Sequence, residues 1–205
     1  MALEDPDFTV LHGLALRRRS DIEGLEQTTG LARAVIEQAL DRAREANLVA
    51  EARGHHLLAP QGDSALDLVY PQRFAESRRD SRLAMAYERF ESLNRELKAL
   101  ITDWQIRPLG ATSVPNDHSD PDYDDRILER LCAIHERAEE ILAVLSLRLP
   151  LVARHTDRLR AAIERAEGGE PEWVSGVRCD SYHTIWFELH EHLLRLLGKS
   201  REEDR

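Results

Sequence analysis

Four histidines of this chain stand on or beside apolar helical stripes, where an imidazole must either find a polar partner or bind something. His155 lies in line with Val152 and Leu159, and His135 sits seven residues from both Leu128 and Leu142. His183 and His190 are seven apart, on one face with Phe187 and Leu194, while Asn94 borders the stripe of Leu93 and Leu97. Buried polar groups need partners, so these side chains converge on each other, on water or on a ligand. The sharper reading is an effector pocket for a small molecule, lined by Trp104, His135, His155, His183, Trp186 and His190. The plainer one is a set of helical histidines, each satisfied separately. Glu188-Leu189-His190-Glu191-His192 has metal-binding residue types, but histidines two apart point to different sides of a helix. The acids from Asp117 to Asp125 lack the spacing of a calcium loop and read as a solvated run. No metal and no cofactor are expected. Nor is the chain expected to be an enzyme, since it has no glycine-rich phosphate loop, nucleophile elbow or His-Glu-x-x-His motif.

Such residues need long helices to carry them. Between about Arg73 and Gln105, Leu83, Tyr87, Phe90, Leu93, Leu97, Leu100, Ile101 and Trp104 recur at three- and four-residue steps and mark one amphipathic face. Ile106 to Asp122 is rich in Pro, Gly, Asp and Ser without periodicity, which predicts an exposed loop over 106–122. A helix is predicted from about Asp124 to Leu147 on the stripe Ile127, Leu131, Ile134, Ala138, Ile141 and Leu145. Pro150 restarts the chain into another, carried by Val152, His155, Leu159, Ala162 and Ile163 and ended by Gly168-Gly169. The last helix takes Asp180 or Ser181 as its cap and stops at Gly198. About four helices of this kind predict an antiparallel bundle.

Upstream the pattern changes. Ser20 and Glu23 read as a capping box for a short helix from about Asp21 to Gln27. Thr28-Thr29-Gly30 breaks it, with Gly30 supplying the positive φ of a sharp inter-helix turn. In the second helix Leu31, Val35, Ile36, Ala39, Leu40 and Ala43 pack, which leaves Arg33, Ala34, Glu37, Gln38, Asp41 and Arg42 facing out. Asn47 reads as a left-handed stop, and Leu48 to Ala59 as a small hairpin with Arg53 and Gly54 near its tip. Short helix, tight turn, longer helix and two strands around a glycine is the order of a winged helix-turn-helix. The expected fold is therefore mainly α. An N-terminal winged helix-turn-helix with a small β-hairpin wing occupies 1–70, and an antiparallel helical bundle occupies 71–205.

The run Thr29-Gly30-Leu31, then Leu40-Asp41-Arg42-Ala43-Arg44-Glu45-Ala46-Asn47-Leu48-Val49, then Gly54 and Leu58-Ala59-Pro60-Gln61-Gly62 closely resembles the DNA-binding domain of winged-helix bacterial regulators of the MarR type. In that family the second helix enters the major groove and the wing touches the backbone or the minor groove. The resemblance implies that Thr28, Thr29, Arg33, Ala34, Gln38 and Arg42 meet double-stranded DNA from the turn and recognition helix, and Arg53, His55 and His56 from the wing. Arg33 would face a guanine edge or a phosphate, and Gln38 an adenine. It also implies a transcriptional regulator that binds its operator as a homodimer, with two half-sites about one helical turn apart or a multiple of that. The helical region would dimerise, sense an effector, or both. In layout that region is similar to regulators of the GntR class, whose sensor domains hold a metal through one Asp and three His. It departs from them in the spacing of Asp180-Ser181-Tyr182-His183, and no His-bearing helix follows His192.

Charge pulls the other way. The chain carries a net charge of −10, and residues 1–70 set seven Arg against twelve Asp and Glu. From Arg17 to Leu58 the same seven Arg meet seven acids. Phosphate attraction is the main non-specific source of DNA affinity, so the alternative is a winged-helix adaptor that docks a protein partner on Glu37, Asp41 and Glu45. Arg17-Arg18-Arg19 is either a phosphate clamp or a solvated helix end favoured by the dipole. Cys132 and Cys179 have no metal-ligand spacing and read as reduced thiols. Met1 to Phe8 is acidic without a signal sequence, and no apolar run reaches membrane-spanning length, so a cytoplasmic protein with no membrane partner is expected.

Overall fold

The structure, a computed structural model, describes residues 5–109 and 112–200. It is mainly helical with small antiparallel sheets, and its two compact units comprise residues 1–79 with 188–205, and residues 80–187.

In the first unit α1 (Asp5–Arg17), β1 (Arg19–Ser20), α2 (Ile22–Thr29), α3 (Arg33–Glu45), β2 (Val49–Ala52), β3 (His55–Leu58) and α4 (Pro60–Arg73) follow one another. Asp21 caps α2 by accepting a hydrogen bond from the Gly24 amide at 2.9 Å, and Gly30 closes it at φ 72°. The cap is thus Asp21 rather than the expected Ser20, whose backbone is paired opposite His56 in the sheet. On α3, Ile36, Ala39, Leu40 and Ala43 are buried and Arg33, Ala34, Glu37, Gln38, Asp41 and Arg42 exposed, the division that helical periodicity demands. Asn47 stops the chain at φ 57°. Arg53 and Gly54, at φ 53° and 74°, are the two consecutive left-handed residues of a type I′ turn. They join β2 to β3 in register from Val49↔Leu58 to Ala52↔His55, and β1 adds to the far side of β3.

Two helices of this unit have no counterpart in the sequence reading. α1 buries Phe8, Val10, Leu11, His12, Leu14, Ala15 and Leu16, so nearly its whole circumference is covered and no one-sided stripe marks it. α4 covers residues to which the sequence reading assigned no element. It starts with Pro60 in its first turn, where a missing N–H is harmless, and it sends Leu66 and Tyr70 into the core. The sequence boundary at residue 70 falls inside this helix, and by its contacts the first unit runs on to Arg79.

The second unit is built on α5 (Ser81–Gln105), α6 (Pro121–Ser146), α7 (Val152–Glu167) and α8 (Glu172–Ser175), and takes in the first turns of α9 (Tyr182–Leu197). Ion pairs Asp103–Arg130 (2.8 Å), Glu96–Arg137 (2.7 Å), Arg89–Glu140 (3.5 Å) and Asp80–Arg148 (3.7 Å) climb one helix as they descend the other, so α5 and α6 are antiparallel. Exposed pairs of this kind contribute at most about 1 kcal/mol each. Cohesion comes from the apolar seam of Leu83, Phe90, Leu93, Leu97 and Leu100 with Ile127, Leu131, Ile134, Ile141 and Leu145.

Between the two long helices the expected loop over 106–122 is in part a hairpin, β4 (Ile106–Leu109) paired with β5 (Thr112–Pro115). Its base is fixed by the Asn116 amide on the Gln105 carbonyl (2.8 Å) and the Asn116 side chain on the Trp104 carbonyl (3.0 Å). Prolines hid it from a reading by periodicity. In a hairpin closed by two residues, the outward-facing groups belong to Ile106 and Pro108 on one edge and to Ser113 and Pro115 on the other. Each edge therefore lacks one donor that a further strand would need. No helix among the described residues is long and apolar enough to cross a membrane.

Candidate nucleic-acid interface

The residues expected to meet DNA separate into an outward and an inward set. Arg33, Ala34 and Gln38 stand exposed on the N-terminal half of α3. Arg33 Nε donates to Glu37 Oε1 at 3.1 Å, one helical turn away, while Gln38 makes no side-chain hydrogen bond among the described residues. Arg42 is exposed but held bidentately by Asp7 of α1, at 2.6 and 3.1 Å. Arg53, at the turn of the hairpin, is exposed and makes no ion pair among the described residues. His55 is half-buried, its Nδ1 3.1 Å from the Arg53 carbonyl.

The inward set is Thr28, Thr29 and His56. Thr29 Oγ1 donates to the Leu25 carbonyl (2.6 Å) and accepts from the Leu31 amide (3.2 Å), which knots the turn before α3. Thr28 Oγ1 accepts from Arg17 at 3.1 Å. Both threonine hydroxyls are therefore committed to holding α2 and its turn. His56 is buried in β3, its Nδ1 has no partner, and burial pulls its pKa below the ordinary imidazole value.

No family model, curated protein or solved structure matches the chain. The chemistry of this face therefore rests on its own atoms. Arg33 and Gln38 have the donor and acceptor geometry to read guanine and adenine edges, and Arg53 can meet a phosphate without first breaking a bond. Around them the field is nearly neutral, because Arg33, Arg42 and Arg44 are each matched by a carboxylate: Glu37, Asp7, and the pair Asp41 and Glu51. Of the run Arg17-Arg18-Arg19, Arg17 is a staple, bonded to Thr28 and 3.5 Å from Glu188, whereas Arg19 is exposed and has no ion pair among the described residues.

Of the six residues expected to line an effector pocket, the structure joins His135 and Trp186 through one ring, Tyr182. His135 Nδ1 lies 3.3 Å from the Tyr182 hydroxyl, and Trp186 stacks on Tyr182 and on Phe90, with centroids 6.0 and 4.8 Å apart. Trp186 Nε1 donates to Asn94 Oδ1 at 3.1 Å, so the polar residue bordering the α5 stripe is satisfied by an indole. Burial lowers the His135 pKa, with Glu139 opposing it, and burial lowers that of His183 as well. Trp104 packs instead on His118, at 4.7 Å, in a network where His118 and Asn116 both engage Asp124 at 2.8 Å. His155 is buried on α7. His190 is buried in the first unit, not the second. Among the described residues no group of three His, Cys, Asp or Glu side chains could hold a metal ion.

One polar cluster of the first unit has no counterpart in the sequence reading. His12 of α1 faces His192 of α9 edge-to-face at 4.8 Å, and its Nδ1 is 2.7 Å from the Tyr70 hydroxyl. Arg195, bound to Asp63 (2.9 Å) and Glu191 (2.7 Å), stands beside Tyr70. The signal available for it was His192 within an apolar run. Its partner His12 lies in a helix that shows no periodicity.

Proposed function

We propose that the chain is a DNA-binding transcriptional regulator that acts as a homodimer, with its first unit serving as a winged helix-turn-helix of the MarR type. One observation carries this reading. A short helix, a left-handed glycine turn and a second helix present an exposed Arg33, Ala34 and Gln38, next to a type I′ hairpin tipped by an unpaired Arg53. An uncovered amphipathic face together with a projecting cationic turn is what major-groove docking uses. Each protomer would take one operator half-site, and an effector would act by changing how the two half-sites are engaged. In vitro selection from random duplexes, followed by fluorescence anisotropy on the winner, tests it. A selected palindrome bound far more tightly than unrelated DNA supports the reading, and a flat response across all sequences removes it.

A second reading, a winged-helix adaptor for a protein partner, is favoured by one specific observation. The exposed side of α3 carries as many acids as bases, and its arginines are paired within the chain. Flat DNA binding, together with loss of a captured partner on Glu37→Lys, would favour it.

A further inference from the structure

α1 presents Asp7 in its first turn, beside the buried Phe8. The Asp7 carboxylate accepts from Arg42 Nη2 at 2.6 Å and from Arg42 Nε at 3.1 Å, and so grips the guanidinium on α3 by two of its nitrogens. Arg42 lies one helical turn beyond Gln38 on the exposed side of α3, the side that would face a DNA groove. This grip differs from the pairing of the neighbouring arginines. Glu37 and Asp41 reach Arg33 and Arg44 from the same helix, and Glu51 reaches Arg44 from the wing. The side chains of those three acids are 41 % exposed or more, whereas that of Asp7 is 17 % exposed and is held by a helix covered on nearly every side. It has less freedom to lose on pairing and is less screened by water and salt.

We infer that Asp7 is a positioning residue for DNA binding, which takes on Arg42 the place of a backbone phosphate and so keeps that arginine off the duplex. The inference rests on the DNA-binding reading and adds to it an internal competitor for phosphate. A carboxylate and a phosphate offer the guanidinium fork the same pair of oxygens. A free arginine that meets a phosphate releases a counterion, whereas Arg42 can only exchange one anion for another, leaving Asp7 as an uncompensated negative charge near the backbone. The exchange therefore contributes little to duplex affinity. An ion pair at the surface also adds little to the packing of α1 on α3, so the larger consequence of Asp7 is for what Arg42 can bind. Contact with phosphate carries no sequence information, and the restraint falls alike on operator and unrelated DNA.

Anisotropy of the full chain on the selected operator and on an unrelated duplex, over a range of salt concentrations, tests it with Asp7→Asn and with Asp7→Asn/Arg42→Gln. Asparagine keeps the shape and one acceptor oxygen but removes the charge. Asp7→Asn should tighten both duplexes at least about fivefold at about 0.1 M salt and steepen the log–log slope by about 2 for a dimer. Adding Arg42→Gln should abolish both gains. A merely structural Asp7 would change the melting temperature and leave the slope alone. The wild-type chain supplies a reading that no substitution can spoil: on adding unrelated duplex, the Arg53 Nε–H resonance should shift and that of Arg42 should not. Equal affinity and slope in Asp7→Asn, weaker binding by it, or an Arg42 resonance that moves with that of Arg53 overturns the inference and leaves the regulator standing. If the wild type ignores every duplex, an Asp7→Asn variant that gains salt-sensitive binding to all of them sustains the inference and removes the regulator, and one that stays silent overturns both.

Discussion

Lowering the pH from 7 to 5 should destabilise the first unit through its buried histidine pair. His192 is fully buried with its ring against His12, and burial pushes its pKa down to about 3. His12 is held well below its ordinary range by burial first, and then by the positive charge of a protonated His192, Arg195 and Arg73. In the unfolded chain an imidazole takes up its proton near 6.5. Between pH 6.5 and about 3 the unfolded state therefore binds more protons than the folded one, and stability falls as pH falls. Each pH unit in that window costs about 1.4 kcal/mol per imidazole, so His192 alone should cost about 2 kcal/mol by pH 5, with His12 adding in the same direction. Set against total stabilities of about 5–15 kcal/mol, that is a large fraction. Between pH 7 and 5 carboxylates contribute little. Glu96, Glu139 and Glu170 are held below their usual range by Arg137, Arg160 and Arg165, so their contribution to stability is lost in the same direction, chiefly below about pH 5 where the unfolded carboxyls take up protons.

The three tryptophans, Trp104, Trp173 and Trp186, all lie in the second unit, so intrinsic fluorescence follows that unit alone. Hydrogen exchange of the α1 amides during urea titration follows the first, whereas far-UV circular dichroism reads the helices of both. The informative comparison is the pH 7-to-5 loss in wild type against His192→Leu, because the difference cancels whatever the substitution itself costs. The variant should lose about 2 kcal/mol less than wild type on acidification. If the two lose equal amounts, His192 either titrates normally or is protonated in the folded state, and the assignment of a neutral buried pair is refuted.

Three further outcomes are expected. Replacing Gln38 or Arg33 by Ala should weaken a selected operator by about ten- to a hundredfold, for about 1–3 kcal/mol of lost base discrimination, with little change on unrelated duplexes; Glu37→Gln, which frees Arg33, should tighten both, all read by anisotropy. The salt dependence of operator binding should be shallow, with a log–log slope of about −4 for a dimer that uses only Arg19 and Arg53 of each protomer, and a slope of about −9 would mean that Arg33, Arg42 and Arg44 abandon their carboxylates. Trp186→Phe deprives the buried Asn94 Oδ1 of its indole donor and should cost the second unit about 1–3 kcal/mol, measured by urea unfolding.

Elements with one buried face were legible from the chain alone, and elements covered on several sides were not. The apolar stripes of α5, α6 and α7 are buried as spacing predicts, because each helix offers one face to the core and one to water, although α5 begins at Ser81 rather than at about Arg73. α1 gives no such contrast, and α4 mixes polar and apolar positions around a proline start. The β4–β5 hairpin is a different case. Its prolines and small polar residues look like a loop because the same residues that keep its edges from pairing further also erase strand periodicity.

The candidate site shows the limit of charge counting most clearly. A tally of seven arginines against seven acids from Arg17 to Leu58 describes the sum and says nothing of the pairing. The partner of Arg42 is Asp7, which lies outside that window and reaches it only because α1 packs on α3. Arg17, which looks like one third of a basic run, is spent on Thr28 and Glu188. After these bonds are drawn, the cations of this region still able to meet a phosphate without breaking an ion pair include Arg53 and Arg19, at a hairpin turn and at the start of β1. Non-specific attraction must then be weak, and any useful DNA affinity has to come from base edges through Arg33 and Gln38. That demand makes the choice between regulator and adaptor a sharp one. A face so nearly neutral can be selective for a sequence or indifferent to DNA altogether, but it cannot be a general binder of duplexes.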